Sequence, residues 1–182
     1  MSWLSNIFVL AAAVVAVFWE AAFNGVRHLL GAQFDLLPPL MVYAALSGSL
    51  SSVFLLACVG GLLADSLSAN PLGITILPLF AVGLAIHAWR DLILRDQTFA
   101  QVILGMAAGV SVPVFTLLLL LTVGRAPRLG WGTLWQVAVI TLGSAVAAPA
   151  FFLLFQWLQN LLVHSPKVET SFRPDREIRR GR

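Results

Sequence analysis

The sequence predicts an all-α integral membrane protein, a polytopic bundle of about six transmembrane helices. Of its 182 residues, 59% are hydrophobic and only 10% are charged, whereas soluble domains carry roughly 25% charged residues. The apolar stretches approach the ~20 residues that cross a hydrocarbon core, and they lack the alternation typical of barrel strands. Because backbone polar groups in lipid must bond internally, these stretches are expected to be helices.

The apolar sequence divides into six segments, separated by short polar stretches. They cover residues 3–23, 34–47, 49–64, 72–90, 97–123 and 132–163. The first has no basic leader and a long apolar core, which indicates a retained helix rather than a cleaved signal peptide. The whole of 1–164 is expected to form one transmembrane domain, and 165–182 a basic cytoplasmic tail.

The second and third segments are the least certain spans, because about 15 residues of helix reach only ~22 Å. Three arrangements fit them: two short spans, a partly re-entrant stretch, or one long tilted helix over 34–64. Pro38 and Pro39 suit the first turn of a helix, where no backbone donor is lost. Pro113 and Pro149 lie inside later segments and predict kinks there.

Basic residues set the expected orientation of the chain. The loop after the fourth segment carries Arg90 and Arg95, and the stretch 167–182 carries six basic and three acidic residues. With six spans both regions lie on one side, which predicts that the C-terminus is cytoplasmic. The tail is expected to contact anionic lipid, or to dock a cytoplasmic partner. Because the rest of the chain is neutral, no nucleic-acid surface is expected.

Ionisable residues within apolar segments are candidate functional groups. Glu20 lies near the outer end of the first segment, and Asp35 opens the second, where a helix N-terminus also favours an acid. His87 lies in the fourth segment, where it suits either an interhelical hydrogen bond or a position at the membrane interface. No His or carboxylate pair has metal-ligand spacing, and no known catalytic motif is present. We therefore expect no catalytic residues, no metal and no cofactor.

The densest motif covers residues 60–73, at the junction of the third and fourth segments. Its notable residues are Gly61, Asp65, Ser68, Pro71, Leu72 and Gly73. Small residues let helices approach closely in lipid, and Asp and Ser favour turns. Pro71 is expected to begin the fourth helix, with Asn70 as its cap. The motif predicts a tight hairpin, which either packs the bundle or presents a partner-binding edge.

The spacing of Gly61, Asp65, Ser68, Leu72 and Gly73 resembles the signature of the MreD family, the rod shape-determining membrane proteins of bacteria. The layout of the chain also resembles that family. It has a short second segment, a short basic loop after the fourth, and a basic tail. Ala69 departs from the glycine that is usual after the serine.

The resemblance implies a multi-pass protein of the bacterial cytoplasmic (inner) membrane, a non-enzymatic scaffold of the cell-wall elongation machinery that maintains rod shape. Its implied partners are MreC, the actin-like MreB, a SEDS glycosyltransferase, a class B penicillin-binding protein and membrane lipids. The family's fold is similar to that of the substrate-binding subunits of energy-coupling-factor transporters, so a vitamin-binding subunit is the alternative function. A third hypothesis is a small intramembrane enzyme acting on a lipid, in which Asp65→Asn would abolish turnover.

Overall fold

The computed structural model of the chain describes residues 2–22, 31–68, 71–90, 97–124 and 130–162. Three features predicted above lie outside these ranges: the basic loop after Arg90, the cap at Asn70 and the tail 165–182.

The described residues form six α-helices and no β-strand, which confirms the all-helical prediction. The helices are α1 (Ser2–Ala22), α2 (Leu37–Ser47), α3 (Leu50–Leu67), α4 (Ile76–Ala88), α5 (Thr98–Thr122) and α6 (Trp131–Leu162). Within the described ranges, three helical stretches are long and apolar enough to cross a membrane, Leu50–Leu67, Thr98–Thr122 and Trp131–Asn160. The chain is therefore a membrane protein by length and composition, and six crossings stay a prediction.

A capping box separates α2 from α3. The Ser49 hydroxyl accepts a hydrogen bond from the Ser52 backbone N–H at 3.3 Å, and the Ser52 hydroxyl accepts from the Ser49 N–H at 3.2 Å. This reciprocal pair satisfies two backbone donors at the start of a helix. The alternative of one long helix over 34–64 is therefore wrong.

Helix α2 is the buried centre of the bundle. Every residue from Leu37 to Leu46 is buried, and α2 contacts α1, α3, α4, α5 and α6. A helix that is apolar on all sides is suited to such a position. Near its end, the Tyr43 ring stacks on Phe155 of α6 with centroids 4.2 Å apart. At 11 residues, or about 16 Å, α2 is too short to cross the membrane alone.

Small residues let α5 and α6 pack closely. A methyl group added at Gly105 would lie 2.5 Å from the carbonyl oxygen of Ser144, and one at Gly109 would lie 2.8 Å from the Ser144 hydroxyl. Both distances are shorter than normal contacts, so only glycine fits at these positions. Close backbone approach of this kind is how helices associate in lipid.

The bundle has two ends, which we name after the side chains found there. The Asn6 side chain accepts from the Ser52 hydroxyl, so α1 and α3 begin at the same end. The Glu20 side chain accepts from the Leu36 N–H, which joins the end of α1 to the start of α2. The Asp65 end therefore holds the last turns of α1, α3 and α5 and the first turns of α2, α4 and α6. The Arg90 end lies opposite.

Candidate functional site

Asp65 organises the connection between α3 and α4. Its side chain is buried in the last turn of α3, with 1% of its surface exposed. One carboxylate oxygen accepts from the Gly73 N–H at 2.9 Å and from the Thr75 N–H at 3.0 Å. The other accepts from the Thr75 hydroxyl. Both oxygens are thus used, which is how a buried charge becomes tolerable.

These hydrogen bonds hold residues 71–75 outside the fourth helix. Gly73 has a φ of +91°, a conformation that glycine adopts without steric cost and that an α-helix does not allow. Helix α4 begins at Ile76, with Thr75 as its N-cap residue. The prediction that Pro71 begins this helix is therefore wrong, because Asp65 binds the N–H groups of the turn that follows it.

The other motif residues surround this turn. A methyl group at Gly61 would lie 3.0 Å from the backbone nitrogen of Ile76, so α3 and α4 touch at this glycine. Ser68 ends α3, and its hydroxyl donates to the Asp65 carbonyl oxygen at 3.3 Å. Leu72 is 71% exposed at the tip of the turn. The described residues of the motif thus place a buried acid against the turn at 71–75, with an apolar side chain exposed on that turn.

Glu20 and Asp35 meet at the first turn of the buried helix α2. Glu20 accepts from the Leu36 N–H, and Asp35 accepts from the Leu37 N–H at 3.0 Å. The two carboxyl groups are also close enough to interact electrostatically. Negative groups are favourable beside the unpaired N–H groups of a helix start. The structure therefore brings Glu20 and Asp35 together, whereas Asp65 bonds to the turn before α4.

Asp35 lies in the loop before α2, where it is half-buried and lines a cavity. Burial raises the pKa of Asp35 to about 6, although the hydrogen bond from the Leu37 N–H acts in the opposite direction. The raised pKa follows from desolvation, which disfavours the charged form of an acid.

At the other end of α2, His87 of α4 and the following Arg90 contact the last carbonyl groups. His87 Nδ1 lies 2.9 Å from the Ala45 carbonyl oxygen, which is the interhelical hydrogen bond predicted for it. Arg90 donates to the Gly48 carbonyl oxygen at 3.3 Å and lies 3.3 Å from His87 Nε2. These partners fit the tautomer with its hydrogen on Nδ1. A cation beside the last carbonyls complements the helix dipole.

A cavity of about 300 Å³ opens beside the two carboxyl groups at the Asp65 end. We call it the dyad cavity. It lies between the end of α1, the loop before α2 and the facing parts of α5 and α6. Its polar lining includes Glu20, Asp35, Thr75, Thr116 and Gln136, and its apolar lining includes Val17, Val112, Leu117, Leu120, Val137 and Ile140.

Gln136 and Thr75 are the residues that sequence reasoning missed. Gln136 of α6 bonds the loop before α2 in both directions: it accepts from the Gln33 N–H at 3.0 Å and donates to the Gln33 carbonyl oxygen at 2.8 Å. A glutamine inside an apolar segment was the available signal for it. Among the described residues, no group of three or more His, Cys, Asp or Glu side chains could hold a metal ion.

Comparisons with known protein families, curated proteins and solved structures find no match to this chain.

Proposed function

We propose that the chain is a non-enzymatic scaffold of the bacterial cell-wall elongation machinery, of the MreD type. In this role it lies in the cytoplasmic membrane, binds MreC, and links it to MreB, the SEDS glycosyltransferase and the class B penicillin-binding protein. The observation that carries the proposal is the Asp65 hairpin. Asp65, Ser68 and Gly73 of the signature are joined there by hydrogen bonds, and Gly61 packs beneath them.

The hairpin suits a docking edge better than a catalytic centre. A general acid or base must reach the proton that it transfers, whereas Asp65 is buried and both its oxygens accept hydrogen bonds. The same bonds fix the turn that carries Leu72, which is 71% exposed. Because the turn is already held by these hydrogen bonds, a partner that binds Leu72 would lose little entropy in ordering it.

The dyad cavity supports a second candidate, the substrate-binding subunit of an energy-coupling-factor vitamin transporter. Small-molecule sites are concave and mostly apolar, with a few convergent polar groups. At about 300 Å³, with Glu20, Asp35 and Gln136 in its lining, the cavity matches that description. The scaffold ranks first because the signature residues belong to the hairpin.

Affinity purification distinguishes these functions. The tagged full chain is purified from native membranes in mild detergent, and the co-purifying proteins are identified. The scaffold proposal predicts recovery of MreC with a peptidoglycan synthase pair. Recovery of transporter ATPases with a second multi-pass subunit would overturn it in favour of the vitamin-binding subunit.

A matched pair of variants locates the partner surface in the same experiment. Leu72→Ala removes the exposed side chain of the hairpin, and Leu153→Ala removes an equally exposed leucine, 68% exposed, from α6. We expect Leu72→Ala to reduce MreC recovery and Leu153→Ala to leave it unchanged. Equal recovery with both variants would contradict a role of the hairpin edge.

A further inference from the structure

The two carboxyl groups of the dyad cavity are only partly used by the fold. Each accepts one hydrogen bond, from the N–H of Leu36 or Leu37. Within the described residues, no other hydrogen-bond donor reaches either carboxyl, yet both groups line the cavity. A carboxylate has two oxygens and about four lone-pair positions. Each carboxyl group therefore has lone pairs facing the cavity to which no described residue donates a hydrogen bond.

Among the described residues that line the dyad cavity, the charged side chains are both acidic, Glu20 and Asp35. Glu20 and Asp35 interact with each other, and the described residues that line the cavity include no lysine, arginine or histidine. Two neighbouring carboxylates disfavour each other's charged form. A cation between them removes that repulsion and supplies the missing donors, so the lining selects for positive charge.

The other lining residues and the volume of the cavity limit the size and polarity of the rest of the ligand. Val112, Leu117 and Ile140 give the cavity apolar walls, while Thr116 and Gln136 add polar contacts. At about 300 Å³ the cavity lies at the lower limit of small-molecule sites. It admits an ammonium group on a short apolar body and is too small for a whole lipid.

We propose that the dyad cavity binds an organic ammonium ion, with its N–H groups donated to the Glu20 and Asp35 carboxylates. The chemistry is shared by a free small amine and by the ethanolamine headgroup of a phospholipid. The ammonium site uses the carboxyl groups of Glu20 and Asp35 and does not use Leu72, so it does not rest on the partners proposed above.

Thermal unfolding of the full chain in phosphatidylglycerol nanodiscs tests this site. The probes are 2-phenylethylamine and 2-phenylethanol, which have similar shape and differ in charge. A ligand that binds only the folded state raises Tm with its concentration. We expect the amine to raise Tm in a saturable manner and the alcohol to leave it unchanged. Equal shifts with both probes, or no shift with either, would overturn the proposal.

Charge-neutral variants locate the amine. Glu20→Gln and Asp35→Asn keep an oxygen that accepts the Leu36 or Leu37 N–H, so the first turn of α2 keeps its bonds. Each is expected to weaken amine binding about tenfold or more, the scale of a lost charge pair. Glu177→Gln removes one carboxylate from the tail and serves as the charge control, with unchanged binding. An amine shift that survives both cavity variants would contradict the assignment.

The lipid composition identifies the source of the ammonium group. Adding phosphatidylethanolamine to the nanodiscs supplies the headgroup at high local concentration. If phosphatidylethanolamine reduces the Tm rise caused by 2-phenylethylamine, and Asp35→Asn abolishes this competition, the site is supported with the headgroup as its ligand. An unchanged amine shift supports the site with a free amine as its ligand. Competition that persists in Asp35→Asn would contradict binding at the dyad.

Discussion

Two acidic sites share one end of this bundle and differ in how fully the fold uses them. Asp65 accepts from Gly73, from the Thr75 backbone and from the Thr75 hydroxyl, and is 1% exposed. Glu20 and Asp35 accept one described hydrogen bond each and line a cavity. A fully satisfied buried acid is part of the framework. A partly satisfied pair beside a cavity is available to a ligand. The number of hydrogen bonds that each acid accepts therefore distinguishes a structural site at Asp65 from a proposed binding site at Glu20 and Asp35.

The largest effect is expected from removing the structural acid. Asp65→Ala leaves the N–H groups of Gly73 and Thr75 and the Thr75 hydroxyl without their acceptor. Since hydrogen bonds to charged groups are worth more than neutral ones, we expect a loss of about 4 kcal/mol in the free energy of unfolding. The measurement is reversible unfolding in lipid bicelles.

The control for that variant is Ser66→Ala. Ser66 is the next residue of the same helix turn, it is exposed, and its hydroxyl bonds only to the Leu63 carbonyl oxygen among the described residues. Its removal is expected to change stability by less than about 0.5 kcal/mol. Similar losses in both variants would contradict the framework role of Asp65.

The next largest effect is expected where the hairpin packs. Gly61→Val places a side chain 3.0 Å from the backbone of Ile76, which cannot move without shifting the start of α4. Overpacking of this kind costs about 2 kcal/mol, to be measured in the same bicelles. Gly132→Val is the control, since nothing lies within 4 Å of a methyl group there. A tolerated valine at 61 would show that α3 and α4 do not depend on this contact.

The sequence was sufficient for the all-helical fold class and for the position of the turn after Asp65. Charge content and segment length indicate a helical membrane protein, and the Gly, Asp and Ser residues mark the turn. The sequence was misleading at Pro71, because a proline followed by apolar residues looks like a helix start. The real start is five residues later at Ile76, and it depends on long-range bonds from Asp65 to Gly73 and Thr75.

The burial of α2 could not be predicted from the sequence, because the medium around a membrane protein is lipid rather than water. In lipid, an apolar side chain is equally suited to the bundle interior and to the acyl chains. Hydrophobicity therefore does not tell Leu40, which is fully buried, from Leu142, which is 66% exposed. The dyad cavity depends on the same placement, since α2 brings Asp35 beside Glu20.

A smaller effect is expected from a single bond to Asp65. Thr75→Val removes the hydroxyl that donates to the carboxylate and keeps the N–H that also donates. We expect a loss of about 1.5 kcal/mol, the low end for a bond to a charged group. Thr122→Val is the control, because the Thr122 hydroxyl is exposed and bonds within its own helix to Leu119. The free energies of unfolding of both variants are measured in bicelles. Equal losses would show that the bond from the Thr75 hydroxyl to Asp65 contributes no more than an ordinary hydrogen bond within a helix.

The smallest effect on stability is expected at the dyad. Glu20→Gln and Asp35→Asn each retain an oxygen for the N–H at the start of α2, and each keeps the size of the side chain that it replaces. We expect the free energy of unfolding to stay within about 1 kcal/mol of wild type. A loss as large as that of Asp65→Ala, seen in the same bicelles, would make the dyad a framework element too.

One paired measurement tests the division between the two acidic sites most directly. Asp65→Asn and Asp35→Asn are compared in one nanodisc preparation for Tm and for the further rise in Tm caused by 2-phenylethylamine; the cavity lining includes Asp35 and does not include Asp65. We expect Asp65→Asn to lower Tm and keep the amine response, because it weakens the bonds to Gly73 and Thr75, and Asp35→Asn to keep Tm and lose the response. If both variants lower Tm and both keep the response, the two sites do not differ and the division between them is contradicted.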